Sequence, residues 1–283
     1  MGVIHPLTVS LGARRYRVER PWGVLPAGYG LVSDVACLAD GRVLVLLRSD
    51  PCIGACDPAV AVLGADGTLL GGWGGDIIAD GHMLSVAPDG RVWVIDRDAH
   101  QIIVFTPDGV PVATLGTRHR ADVPFNAPCD VGFAADGTAY VADGYGATRV
   151  HVFGPDLSPR GGWGEAGRGP GQFSTPHSVA VFADGRVAVA DRENDRVQVF
   201  APDGRHLLSI DDVYRPMSVN VDADGHLLVT DQVPRLSMFT ADGALVARCR
   251  PVLNGAHGMA IGADGAIYLS EMNPGRVTRL TPI

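Results

Sequence analysis

The chain has 283 residues, of which 46% are hydrophobic, 37 are Gly and 20 are Pro, and its formal net charge is −8. A chain of that length and apolar content buries its own core, so neither disorder nor a disulfide-dependent scaffold fits it. An acidic balance with no cluster of Lys and Arg excludes a nucleic-acid surface, which needs a basic stripe to displace counterions.

The opening MGVIHPLTVSLGARRYRVE lacks the charged and apolar regions of a signal peptide, and Pro6 stands where a myristoylation motif has Ser or Thr. No apolar run reaches membrane-spanning length, so the sequence predicts a cytoplasmic protein with no membrane partner. The five cysteines (Cys37, Cys52, Cys56, Cys129 and Cys249) are odd in number and follow no strong metal spacing. Cys52 and Cys56 share one loop and could pair or bind a metal; in a reducing compartment they are more simply incidental.

From residue 39 onward one unit recurs. It reads ADGRVLVLLR (39–48), PDGRVWVIDRDAHQIIVF (88–105), ADGTAYVADGYGATRVHVF (135–153), ADGRVAVADRENDRVQVF (183–200), ADGHLLVTDQVPRLSMF (223–239) and ADGAIYLSEMNPGRVTRL (263–280). The leading Asp falls at 40, 89, 136, 184, 224 and 264. An Asp-Gly pair between alternating runs predicts a primed-turn hairpin, with Gly supplying the positive φ. Four antiparallel strands per unit, six times over, predict an all-β, six-bladed β-propeller. The predicted blades cover about 32–75, 82–116, 129–164, 177–210, 217–250 and 257–283, within a single domain spanning 1–283. The last unit has room for three strands, so the segment Tyr16–Glu19 is expected to complete it and remove an open sheet edge.

Seven residues before each leading Asp, at the start of the innermost strand, stand Ser33, His82, Cys129, His177, Met217 and His257. Histidine fills alternate blades, which in a sixfold ring lie 120° apart, so the three imidazoles are expected to converge on the axis. Three neutral histidines with one open position form a catalytic zinc arrangement, which another divalent transition metal could also occupy. The ends of the second strands open onto the same face. Arg48 ends one of them, the loop 49–59 follows it, and Tyr145 lies in the corresponding turn of blade three. Arg48 shares its slot with Arg97 and Arg192, but Leu47 replaces the preceding Asp, leaving Arg48 without its expected neighbour. The repeated Asp96, Asp143, Asp191 and Asp231, with Glu271, are expected to tie down backbone amides, and Trp73 and Trp163 to pack between blades.

The segment GGWGEAGRGPGQFSTPHSVAVFADGRVAVADRENDRVQVF (161–200) resembles the NHL repeat, and the other units match it more loosely. Among NHL propellers the chain resembles peptidylglycine α-hydroxyamide lyase, through GH (81–82), PHSVAV (176–181), AHGMAI (256–261), DGYGATR (143–149) and LLRSD (46–50). That resemblance implies zinc on His82, His177 and His257, with Tyr145 and Arg48 catalytic. It implies cleavage of a small carbinolamide, R–CO–NH–CH(OH)–COO⁻, into an amide and an α-oxo acid such as glyoxylate. Tyr145 would serve as base if zinc and Arg48 stabilise its phenolate, or Arg48 would instead clamp the substrate carboxylate. Gly258 stands where the family has an Asp that helps hold a structural calcium, which speaks against calcium here. Gly255 replaces a family Met, and Gly146 replaces a Cys, so the corresponding disulfide is absent. Two other readings stay open: a metal-dependent hydrolase of a small amide or lactone, and a non-catalytic interaction platform.

Overall fold

The Asp-Gly pair that leads each repeat unit turns the chain back on itself, by a different turn from the one expected. At residues 38–42 the Leu38 carbonyl accepts the Gly41 N–H at 3.0 Å, and Asp40 Oδ1 accepts the Arg42 N–H at 3.0 Å. Gly41 has φ +88°, whereas Asp40 is not among the residues with positive φ. This is a type I turn closed by a left-handed Gly, and the Asp side chain, by bonding its own backbone two residues on, selects it over a primed turn. The same aspartate-to-amide bond recurs at Asp89, Asp136, Asp184 and Asp264.

The structure, a computed structural model, describes residues 6–48 and 57–283. Within them the hairpins assemble into six antiparallel sheets, the blades of a six-bladed propeller. The innermost strands are Leu31–Cys37, Gly81–Val86, Asp130–Phe133, Pro176–Val181, Pro216–Val221 and Gly258–Ile261. In the last blade, Arg14–Trp22 pairs with Arg276–Pro282, and an additional strand, Thr8–Leu11, pairs outside it. Arg14 then bridges to Asp222 at 2.6 Å, tying this double strand to blade five.

The core is six wedges, one between each pair of neighbouring sheets. Val35, Val45 and Leu63 of blade one meet Ala260, Tyr268 and Val277 of blade six, and each other blade boundary is filled the same way. Trp73 packs on Phe105 of the next blade with ring centroids 4.7 Å apart, and Trp163 on Phe200 at 5.5 Å. Gly109 admits the first indole, because a Cβ there would lie 2.2 Å from Trp73 Cγ.

The repeated aspartates hold the connectors that lead into the inner strands. Asp96 accepts the Asp80 N–H, Asp143 that of Asn126, Asp191 that of Ser174 and Asp231 that of Tyr214. Glu271 departs from this expectation, binding the Arg276 guanidinium and the Thr278 hydroxyl instead. These bonds fix where each inner strand begins, and so where the slot residues stand.

Candidate metal centre

Each slot histidine is oriented by the blade beside it. His82 Nδ1 bonds the Cys129 carbonyl at 2.8 Å, His177 Nδ1 that of Met217 at 2.7 Å, and His257 Nδ1 that of Ser33 at 2.8 Å. Carbonyls only accept, so each Nδ1 carries the proton and each Nε2 keeps a lone pair. The intervening slot residues, Ser33, Cys129 and Met217, thus serve through their backbone carbonyls, and the Ser33 hydroxyl also donates to the His82 carbonyl at 2.5 Å. The ring centroids lie 4.8–5.2 Å apart, and one ligand nitrogen from each histidine falls within 4.8 Å of the others.

The three imidazoles are buried, at 0%, 0% and 4% exposure for His82, His177 and His257. Burial holds His82 and His177 well below the usual histidine range, with His257 adding to it in both cases. Burial likewise pushes His257 down to about 4, and the charges of Arg48, Arg192 and Arg97 add to that. All three are therefore neutral at physiological pH. Buried acceptors converging with few donors between them suit a bound cation, and the set fits a divalent metal.

The metal-free protein should lose stability in acid. A base held below its unfolded pKa contributes stability at neutral pH that is lost as pH falls through the unfolded value near 6.5 towards the folded one. For His257 alone the loss by pH 5 is about 2 kcal/mol. Asp130, raised to about 6 by burial in the axial channel, and Asp34, raised well above the carboxylate range by burial and by Asp130, oppose it. The three imidazoles outweigh the two carboxyls. Thermal melts of chelator-treated protein should show a lower midpoint at pH 5 than at pH 7.5; an equal or higher one would refute this balance.

Tyr145 reaches the triad from the turn after strand Ala139–Asp143. Its hydroxyl lies 3.2 Å from both His82 Nε2 and His177 Nε2, and it accepts Arg192 Nη1 at 3.0 Å. A phenol has one proton to give, so it serves one imidazole at a time. The guanidiniums of Arg97 and Arg192 lie 5.1 and 5.0 Å from the centre of its ring.

Arg48 is near enough for its charge to act on His82 and His257, yet it does not lack a partner as expected. Its Nε and Nη2 donate to Asp80 Oδ1 at 3.0 and 2.7 Å, and Arg97 binds Asp80 Oδ2 at 2.9 Å. Asp80 lies two residues before His82, whereas the Asp preceding the equivalent arginine in blades two and four binds backbone amides rather than that arginine. Arg192 brings a further guanidinium to the site from blade four, the blade that also carries His177. Cys52, Cys56 and most of the loop 49–59 lie outside the described residues. At Gly258 a Cβ would meet Asp34 Oδ1 at 1.8 Å, so the Asp34 carboxyl fills the space a side chain would need there. A second acidic group, Asp222, Asp224 and His226, is bridged by Arg14, which supplies its cation.

Fold and site define a six-bladed β-propeller with an axial histidine triad, and residues 173–200 match the NHL repeat model. The chain is weakly homologous to amidating lyases. It is 34% identical over 91 residues to "Peptidyl-alpha-hydroxyglycine alpha-amidating lyase 1" of Drosophila melanogaster, a match covering 30% of this chain and 17% of that protein. It is 27% identical over 243 residues to "Probable peptidyl-alpha-hydroxyglycine alpha-amidating lyase pgal-1" of Caenorhabditis elegans, covering 78% of this chain and 69% of that one. A gluconolactonase structure from Xanthomonas campestris shares the fold, with TM-score 0.72 and 16% identity over 99% of this chain and 96% of that one. Among the described residues no helix is long and apolar enough to cross a membrane.

Proposed function

We propose that this propeller is a metal-dependent carbon–nitrogen lyase that splits a small N-acyl-α-hydroxyglycine into the primary amide and glyoxylate. The observation that carries this reading is the Tyr145 hydroxyl, 3.2 Å from two triad nitrogens and 3.0 Å from Arg192 Nη1. It would serve as a proton carrier beside the proposed metal. The weak homology to amidating lyases supports the same chemistry.

His82, His177 and His257 would hold the ion, and a set of three neutral imidazoles suits zinc. Bound there, the metal supplies Lewis acidity that favours loss of the substrate's hydroxyl proton. The chain's own residues carry the rest. Tyr145 takes the hydroxyl proton, the C–N bond breaks as the carbonyl of glyoxylate forms, and the proton passes to the departing amide nitrogen, so atoms and charge balance. Arg97 and Arg192 stabilise the phenolate during the transfer. Arg48, braced by Asp80, adds positive charge for the substrate carboxylate.

Incubating zinc-loaded protein with α-hydroxyhippurate should release benzamide and glyoxylate in equal amounts, and chelation should abolish both. Benzoate in place of benzamide would identify a hydrolase. Release of neither benzamide nor benzoate would overturn the proposal.

A further inference from the structure

Tyr145 stands on a turn that is gripped from two sides. Gly144, before it, presses on blade four, where an added Cβ would lie 2.1 Å from the carbonyl oxygen of Pro176, the residue next to His177. On the other side the Tyr145 N–H donates to the Ala127 carbonyl at 3.4 Å, and the Gly146 N–H to that of Asn126 at 2.9 Å. The position of the phenol therefore depends on how Asn126 and Ala127 are held.

Ala127 has φ +57°, a left-handed conformation that an L-residue keeps only where its surroundings fix it. Two side chains do so. Asp143 accepts the Asn126 N–H at 2.8 Å, and His100 Nδ1, from blade two, accepts the Ala127 N–H at 2.9 Å. Accepting at Nδ1 puts the ring proton of His100 on Nε2, the reverse of the triad histidines. Blade four repeats the device: Asp195 Oδ1 accepts the Arg215 N–H at 2.9 Å, and Arg215 has φ +47°. His100 and Asp195 hold the same place in their turns, three residues after Arg97 and Arg192, with φ +57° and +55°. That place calls for an acceptor, and imidazole is one way to supply it. The turn is itself anchored, since the His100 N–H donates to the Arg97 carbonyl at 3.0 Å and the His119 N–H to that of Ala99 at 2.8 Å. Arg97, from this same turn, lies 5.1 Å from the centre of the Tyr145 ring. Blade two thus reaches both the ring of Tyr145 and the backbone beneath it.

We infer that His100 is a positioning residue for Tyr145, acting through the Ala127 backbone rather than on the substrate. Without its Nδ1 acceptor the Ala127 N–H loses its partner and the left-handed residue its restraint. The Tyr145 hydroxyl then drifts from its place between His82 and His177. The ligand set does not depend on His100, because Cys129, whose carbonyl orients His82, is anchored separately by its own N–H to Ala142 at 2.8 Å. The inference rests on the lyase reading for its kinetic consequence, and one arm of its test does not use turnover.

Zinc-loaded His100→Ala, assayed with α-hydroxyhippurate, should lose roughly tenfold to a hundredfold in kcat, the scale of an ångström's misplacement. Its KM and zinc content should match the parent's. His100→Asp, which installs the acceptor that blade four uses, should recover most of the loss. Hydrogen exchange read by mass spectrometry should show the segment 144–146 exchanging faster in His100→Ala and returning towards the parent in His100→Asp. An unchanged kcat in His100→Ala, a rise in KM alone, or an equal loss in both variants would overturn the positioning role. Faster exchange in His100→Ala, reversed in His100→Asp, in a protein that cleaves no carbinolamide would sink the lyase and leave the brace. Cleavage with kcat and exchange alike in all three proteins would do the reverse.

Discussion

Replacing Tyr145 with Phe leaves the metal content unchanged and lowers turnover of α-hydroxyhippurate at least a hundredfold or so, the usual scale for loss of a proton-transfer group. The substitution removes only the hydroxyl. The three Nδ1–carbonyl bonds that orient the imidazoles do not involve Tyr145, so the ligand set survives. The aromatic ring between Arg97 and Arg192 also survives, so their placement changes little. What disappears is the one proton carrier 3.2 Å from His82 and His177. Elemental analysis beside steady-state kinetics reads both halves. Full activity would remove Tyr145 from the mechanism, and lost metal would make its role structural.

Replacing His177 with Ala costs far more. It takes away one of three ligands, and it leaves the Met217 carbonyl without the bond it now accepts at 2.7 Å. Metal affinity should fall by several orders of magnitude, because two imidazoles do not make a tight divalent site. Activity should vanish with the metal. Stability should drop by about 1–3 kcal/mol through the unsatisfied carbonyl and the cavity left at a fully buried position. His177→Gln separates these effects, since it retains bulk and a donor while still losing the metal. A variant that kept both metal and turnover would dissolve the triad as a site.

Much of this was legible in the sequence because a propeller writes its geometry into its spacing. One register of the repeat placed His82, His177 and His257 on a common ring, and the structure brings their nitrogens within 4.8 Å of each other. The terminal hairpin was harder to read. Thr8–Leu11 is four residues long and turns through Gly12 rather than an Asp-Gly pair, so the repeat pattern did not extend to it. Arg97 and Arg192 are hard to single out from sequence, because an Arg that recurs at one slot reads as a structural feature of the repeat. In a ring, however, a repeated slot faces one axis, and recurrence there also means convergence. Asp80 does stand out in the sequence. Two residues before the slot, the blades read Leu31, Asp80, Ala127, Thr175, Arg215 and Gly255, so one position alone is acidic. The carbonyls of Ser33, Cys129 and Met217 could not be read at all, since any residue supplies one.

The central claim is that the triad holds a metal on which the chemistry depends. Protein purified without added metal and then dialysed against trace zinc should carry about one equivalent by elemental analysis, all of it lost in His177→Ala. Protein that neither retains nor rebinds a divalent metal, or a His177→Ala variant that binds as well as the parent, would contradict it.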